Sequence, residues 1–257
     1  MGWQLNGMVK AMKNVSRGLI GVAFLMASWL AINPSWAGDA AEFRSHGFSD
    51  DERGRYFAFE EFGVQDGDHY PYSSIYIVDL ARDEWVDGTP VKIVLQDDSR
   101  SPLAARVEAF KQATPIMQQY QISNSGVLMA ASPVNELSDK SELAFRQTAI
   151  PLDQAQPGPY RLSLSNIDVQ DVNKCGASNG RIMGFVLSMT KPDGSFESLH
   201  DEASVPASRG CPERYELAAV FAPTRLVANT HAVALIGVYK REESGLNLRY
   251  IAVPFSL

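Results

Sequence analysis

The chain is poor in cysteine, poor in histidine and poor in positive charge. Its 257 residues contain two cysteines, Cys175 and Cys211, and four histidines. A disulfide-dense miniature scaffold and a zinc-finger array are therefore excluded. Lys and Arg number 23 against 30 Asp and Glu, a formal net charge of −7. Three of the cations (Lys10, Lys13, Arg17) fall in the first 37 residues, which hold no acidic residue, so the remaining 220 carry 20 basic and 30 acidic side chains, a net −10. Such a surface repels phosphate backbones and anionic lipid, and nucleic acid is set aside as a partner. No phosphate-binding glycine loop or dinucleotide fingerprint is present.

What the first 37 residues do contain is an export leader. A basic start leads into an apolar run from Gly18 to Ile32, broken only by Ser28, and then into Asn33-Pro34-Ser35-Trp36-Ala37. The run is shorter than the roughly 20 residues that a bilayer span needs, and small residues stand at −3 and −1 from the Ala37–Gly38 bond. We read residues 1–37 as a cleavable signal peptide and residues 38–257 as a single extracytoplasmic domain, periplasmic or secreted, which does not span a membrane. In an oxidising compartment the isolated pair Cys175 and Cys211 reads as a disulfide rather than as a zinc site with His200 and His231.

The mature part reads as mainly β. Tyr56 to Glu61, Ile75 to Leu80, Val91 to Leu95, Tyr160 to Val169, Ile182 to Thr190, Tyr215 to Phe221, His231 to Tyr239 and Leu248 to Phe255 are rich in β-branched and aromatic residues, with turn residues between them. Lys191-Pro192-Asp193-Gly194 marks a hairpin. Ile182–Leu187 and Val233–Val238 are apolar at successive positions, the pattern of strands covered on both sides. In Tyr160–Val169 the apolar phase changes after Leu164, which predicts a bulge near Ser165-Asn166. One helix stands out. Ser101 can cap it, Pro102 suits its first position, and Leu103, Val107, Phe110 and Met117 predict its packed face, with an end or kink near Thr114 before Pro115. The expected architecture is an antiparallel two-sheet sandwich with this one helix, and the alternative is a partial or complete β-propeller.

That alternative comes from a resemblance. Phe48-Ser49-Asp50, Gly54-Arg55-Tyr56-Phe57-Ala58-Phe59 and Ile75-Tyr76-Ile77-Val78-Asp79-Leu80 together look like one blade of a TolB-type β-propeller. With Glu60 to Gly67, Pro71-Tyr72-Ser73 and Gly210-Cys211-Pro212, the mature chain resembles a family of predicted secreted proteins of Gram-negative bacteria, catalogued as a domain of unknown function. The resemblance implies export and supplies no catalytic residues.

Three groups of residues invite a chemical reading. Gly176-Ala177-Ser178-Asn179-Gly180 fits the nucleophile-elbow pattern, with His200, His231 and aspartates downstream, but its flanks lack the strand and helix that strain such a serine into place. An exported serine hydrolase using Ser178 is thus the alternative to a non-enzymatic reading. Glu60, Glu61, Asp66 and Asp68 form an acidic cluster with His69, and Asp66-Gly67-Asp68 has the ligand type of a calcium loop without EF-hand spacing. Glu60 and Glu61, adjacent on a strand, are expected to point to opposite faces. The segment Glu60–Ser73, read as a loop between two strands and carrying Tyr72 besides these residues, is the expected binding site, for an envelope protein or a glycan. We expect a non-enzymatic binding or structural module of the cell envelope, with no cofactor unless calcium. N-terminal sequencing of exported protein should give Gly38 as the first residue; an intact Met1 on membrane-bound material contradicts the leader reading.

Overall fold

A computed structural model describes residues 38–133, 139–147, 158–170, 175, 182–242 and 245–257. Its strands are β1 (Glu42–Ser49), β2 (Tyr56–Val64), β3 (Pro71–Asp79), β4 (Glu84–Trp85), β5 (Val91–Val94), β6 (Ile122–Asn124), β7 (Val127–Ala131), β8 (Glu142–Phe145), β9 (Tyr160–Val169), β10 (Ile182–Thr190), β11 (Phe196–Asp201), β12 (Pro212–Ala222), β13 (His231–Glu242) and β14 (Gly245–Ser256). The helix, α1, runs from Pro102 to Gln119.

The mainly antiparallel β class with one prominent helix is what forms, but in three sheets rather than two. The first has the order β4-β3-β2-β1-β6, with β5 also on β3; the second is β11-β10-β9-β8; the third is β14-β13-β12-β7. No propeller or closed barrel forms among the described residues. The sheets stack as layers, because successive side chains of a strand alternate between two faces and both faces here are apolar. On β13, Val233 and Leu235 meet Phe57, Phe59 and Tyr76 of the first sheet. The residues between them, Ala234 and Ile236, meet Leu164, Phe185 and Leu187 of the second. The β14-β13-β12-β7 sheet is therefore the middle layer, and the two-sided apolar pattern of Val233–Val238 has its cause. β10 differs: Phe185, Leu187 and Met189 face this core, while Val186 on its other side is half-buried. A register shift between Leu217 and Ala219 lets β12 serve both cores, with Leu217 in one and Ala219 in the other.

The expected bulge in β9 does not occur. Its register with β10 is unbroken from Arg161 to Val169. The phase change marks a change of neighbour instead. Val169 packs beside Ile182, Val205 and the Cys175–Cys211 bridge on the opposite face from Leu164. Asn166 points towards β12, accepting from the Tyr215 N–H at 2.6 Å and donating to its carbonyl at 3.0 Å, so an amide side chain extends the backbone hydrogen-bonding.

Helix α1 covers the far face of the first sheet; Met117 packs there as expected, but the rest of the packed face is alanine rather than Leu103, Val107 and Phe110. Ala109, Ala113 and Met117 pack against Ala58, Ile75 and Ile77 and Ala105 is buried too, whereas Leu103, Val107 and Phe110 are exposed. Alanines let the helix axis approach the sheet closely, and the isoleucines fill the space. The helix also continues through Pro115, because Met117 and Tyr120 beyond it are held, the latter with its ring 4.7 Å from Tyr56. From α1 the chain passes through β6 in the first sheet to β7 in the middle one. Gly126 makes the turn at φ 69°, where a Cβ would strike the Phe48 ring at 2.9 Å.

Cys175 and Cys211 form the expected disulfide, with Cα atoms 5.7 Å apart and 36 residues apart in sequence. Loop closure of that length is worth about 4 kcal/mol by chain entropy. Phe57→Ala should cost about 3–5 kcal/mol in urea unfolding and Phe110→Ala about 0.5 kcal/mol or less. The reverse ranking would mean that the helix is seated on its Leu103–Phe110 face.

Candidate functional site

Strand β2 carries two glutamates side by side in the core, Glu60 and Glu61, 2% and 4% exposed. As expected from the strand period, they point to opposite faces. Glu60 faces α1. Its Oε1 accepts from Ser73 Oγ and Arg106 Nε, both at 2.9 Å, and its Oε2 accepts from Arg106 Nη2 at 3.0 Å. His46 Nε2 approaches Oε2 to 3.4 Å without an aligned hydrogen bond. The Arg106 guanidinium lies 3.7 Å over the Phe62 ring. Burial alone would keep a proton on Glu60, but His46, Arg106 and Ser73 outweigh it and bring the pKa down to about 2. This carboxylate fastens α1 to its sheet.

Glu61 faces the middle sheet. It accepts from the Tyr76 hydroxyl at 2.7 Å and the Tyr250 N–H at 3.1 Å. Burial dominates here and raises its pKa, against the pull of these two bonds and of the more distant Arg249 and Lys92 charges. Nearby, Arg249 pairs with the buried Asp39, and its guanidinium lies 4.9 Å over the Tyr72 ring. Tyr72 donates to Asp39 at 3.0 Å, and burial raises its pKa.

Glu61 opens onto a cavity of about 320 Å³ at the edge of the middle sheet, where all three sheets contribute a wall. Tyr76, Trp85 and Lys92 come from the first sheet, Arg249 and Tyr250 from β14, His200 from β11, and Arg209 from the turn before β12. Trp85 is 51% exposed, with its ring 5.6 Å from Tyr76, which is itself stacked on Phe59 at 4.9 Å. His200 stacks on Phe185 at 4.5 Å and stands 3.8 Å from Glu202, a buried carboxylate that Arg209 also holds. Burial pushes the Tyr215 hydroxyl, 3.4 Å from Arg209, up to about 12. The cavity thus offers an aromatic face beside a carboxylate, an amine and guanidinium groups.

The structure splits the segment expected to bind as one loop. β2 extends to Val64 and β3 begins at Pro71, so only residues 65–70 connect them. Tyr72 and both glutamates belong to buried strand. Asp68 and His69 are exposed and Asp66 half-buried on the connection, whose ends are tied by Gln65 N–H to the Tyr70 carbonyl at 2.9 Å. Asp66 spends one oxygen on its neighbour, accepting from Gly67 N–H at 3.1 Å. None of the three lines the cavity. Among the described residues no three His, Cys, Asp or Glu side chains gather as a metal site. Ser178 lies outside the described residues. His231 begins β13, donating its N–H to the Arg53 carbonyl, and burial lowers its pKa.

The sequence reading found Glu61, named His200 for other chemistry, and missed Trp85, Lys92, Arg209, Arg249 and Tyr250. Only the pairing of β2 with β3 and the stacking of three sheets bring these together, and no local spacing records that.

The fold and cavity define a layered antiparallel β protein with a polar, aromatic-edged cleft where its sheets converge. Among the described residues no helix is long and apolar enough to cross a membrane. The chain belongs to the DUF2259 family, described as predicted secreted protein, whose model matches residues 58–256. No curated protein and no solved structure matches it.

The two glutamates should titrate with opposite effects on stability. Glu60, depressed below the ordinary 4.5, stabilises fully above that pH and loses the contribution as pH falls towards 2. Glu60→Gln should therefore cost about 2 kcal/mol at neutral pH, with the gap closing in acid. Glu61, raised, contributes below its unfolded pKa and loses the contribution as pH rises through the folded value. Glu61→Gln should accordingly gain on the wild type in urea unfolding as pH rises above the ordinary 4.5. Parallel pH profiles for the two variants would contradict the assignment.

Proposed function

We propose that the mature protein is a non-enzymatic binding module of the cell envelope and that its inter-sheet cavity takes a glycan. The observation that carries this reading is the partly exposed Trp85 beside Tyr76 at the mouth of a cavity holding Glu61, Lys92, Arg209 and Arg249. Sugar rings present apolar C–H faces to aromatic side chains and hydroxyl groups to carboxylates and guanidinium groups, so this mixture suits them. A volume of about 320 Å³ is at the small end of the roughly 300–1,000 Å³ found for ligand sites, which favours one end of a glycan over a whole oligosaccharide. Arg209 and Arg249 are already held by Glu202 and Asp39, so they are preorganised donors. The site needs no metal.

An array of neutral and acidic oligosaccharides should reveal a ligand whose binding quenches tryptophan fluorescence and survives a chelator. Trp85→Ala and Lys92→Ala should each weaken that ligand about tenfold, with little change in thermal midpoint. Retention of full affinity by both variants would refute the site. A serine-directed fluorophosphonate should leave the protein unlabelled; stoichiometric labelling abolished by Ser178→Ala would replace this reading with a hydrolase.

A further inference from the structure

Helix α1 is apolar on two sides. One is the alanine face packed on the sheet; the other carries Leu103, Val107 and Phe110, 64%, 60% and 48% exposed, at positions i, i+4 and i+7. These three lie along one trough between α1 and β1. Its first part, about 540 Å³, is lined by the three with Arg44, Arg106 and Lys111. A second hollow of about 450 Å³ shares Arg44, His46 and Phe110 with the first and runs on past Met117 to Gln118. From Leu103 to Gln118 the helix advances roughly 22 Å at 1.5 Å per residue. The trough is long, narrow and apolar along its helical wall.

Its charge is the reverse of the chain's. Glu60 in the floor is neutralised by Arg106. Arg44 and Lys111 are exposed and, among the described residues, form no ion pair, and no other carboxylate lines either hollow. In a protein of net charge −7 this is a local cationic site. Ser45 Oγ, also in the lining, is buried with no hydrogen-bond partner. An elongated apolar trough with two free cations and a spare hydroxyl donor matches one ligand chemistry.

We propose that the trough between α1 and β1 is a second binding site, which takes a free anionic amphiphile, a carboxylate head on a single acyl chain. The head is held near Arg44 and Lys111, and the chain lies along Leu103, Val107 and Phe110. Another protein molecule is a poor occupant, since three exposed side chains fall far short of the roughly 800 Å² per partner that a stable interface buries. A membrane surface is also a poor occupant, because two cations do not make the cluster of about four to eight that anionic bilayers attract, and the protein as a whole is acidic.

The test is calorimetric titration of the mature protein with laurate, kept below its micellar concentration. One equivalent should bind. Val107→Asp and the double variant Arg44→Glu/Lys111→Glu should each weaken binding about tenfold or more, with the ligand-free thermal midpoint nearly unchanged, since all three residues are exposed. Dodecyltrimethylammonium, of equal chain length and opposite charge, should bind about tenfold more weakly than laurate. Trp85→Ala should leave laurate binding intact, which separates this site from the glycan cavity. Equal affinity for the two amphiphiles, or unchanged laurate binding in both variants, would overturn the proposal. So would binding seen only with anionic phosphatidylglycerol vesicles, or self-association in sedimentation that Val107→Asp abolishes.

Discussion

Strand β13 has no solvent face along its centre. Val233 and Leu235 fill the core shared with the first sheet, and Ala232, Ala234, Ile236 and Val238 fill the core shared with the second. A strand in that position must be apolar at consecutive residues, and each of its side chains is answered by a partner in a different layer. Its neighbours inherit the constraint. β12 meets it with the register shift at Leu217/Ala219, which turns successive apolar residues into opposite cores. β14 meets it only in part, because it is the last strand of the middle sheet, and at that edge residues of all three sheets line a cavity. The cleft is thus a consequence of the layering at the edge of a sheet buried on both sides.

The same layering explains how two adjacent glutamates come to have opposite electrostatics. Both are buried to a similar degree, so desolvation penalises both. On the helix-facing side, a bidentate arginine from α1 joins His46 of β1 and Ser73 of β3 around Glu60. On the other side, Glu61 receives a phenol from β3 and a backbone N–H from β14 of the middle sheet, with Arg249 already paired to Asp39. Partners decide the sign of the shift where burial does not. A carboxylate saturated by four approaches is architecture, whereas one that is raised and opens onto a cavity retains capacity for a ligand.

Much of the fold was legible in the sequence because local rules determine it. The Lys191–Gly194 hairpin, the two-sided run of β13, Pro102 at the start of the helix and the cysteine pair each depend on a few neighbouring residues. The packed face of α1 was not legible, since hydrophobicity favours Leu103, Val107 and Phe110 while close approach to a sheet favours Ala105, Ala109 and Ala113. Pro115 misleads for a related reason: the packing of Met117 and Tyr120 beyond it outweighs the hydrogen bond that proline cannot donate. The apolar phase change in β9 reads as a bulge only when one layer is assumed. Of the cavity, only Glu61 was visible as a binding residue and His200 only for other chemistry, because the lining comes from segments between Phe59 and Val253 that meet only after three sheets have formed.

The N-terminal end of the described chain is built into this architecture. Asp39 is 5% exposed, its N–H donates to Asn247 Oδ1 at 2.7 Å, and its carboxylate accepts from Tyr72 and Arg249. Ala40 pairs with Leu248 in parallel, so residues 39–41 cover part of the β14 edge that would otherwise offer free backbone groups. At Gly38 a Cβ would meet the Leu246 carbonyl oxygen at 2.4 Å, so the backbone there lies flush against β14. A peptidase must reach both sides of its bond, and residues 39–41 are docked along β14, so cleavage after Ala37 would have to precede that docking. That docking in turn positions Arg249, through Asp39, in the wall of the cavity, so the proposed glycan site depends on the seating of the N-terminal segment against β14.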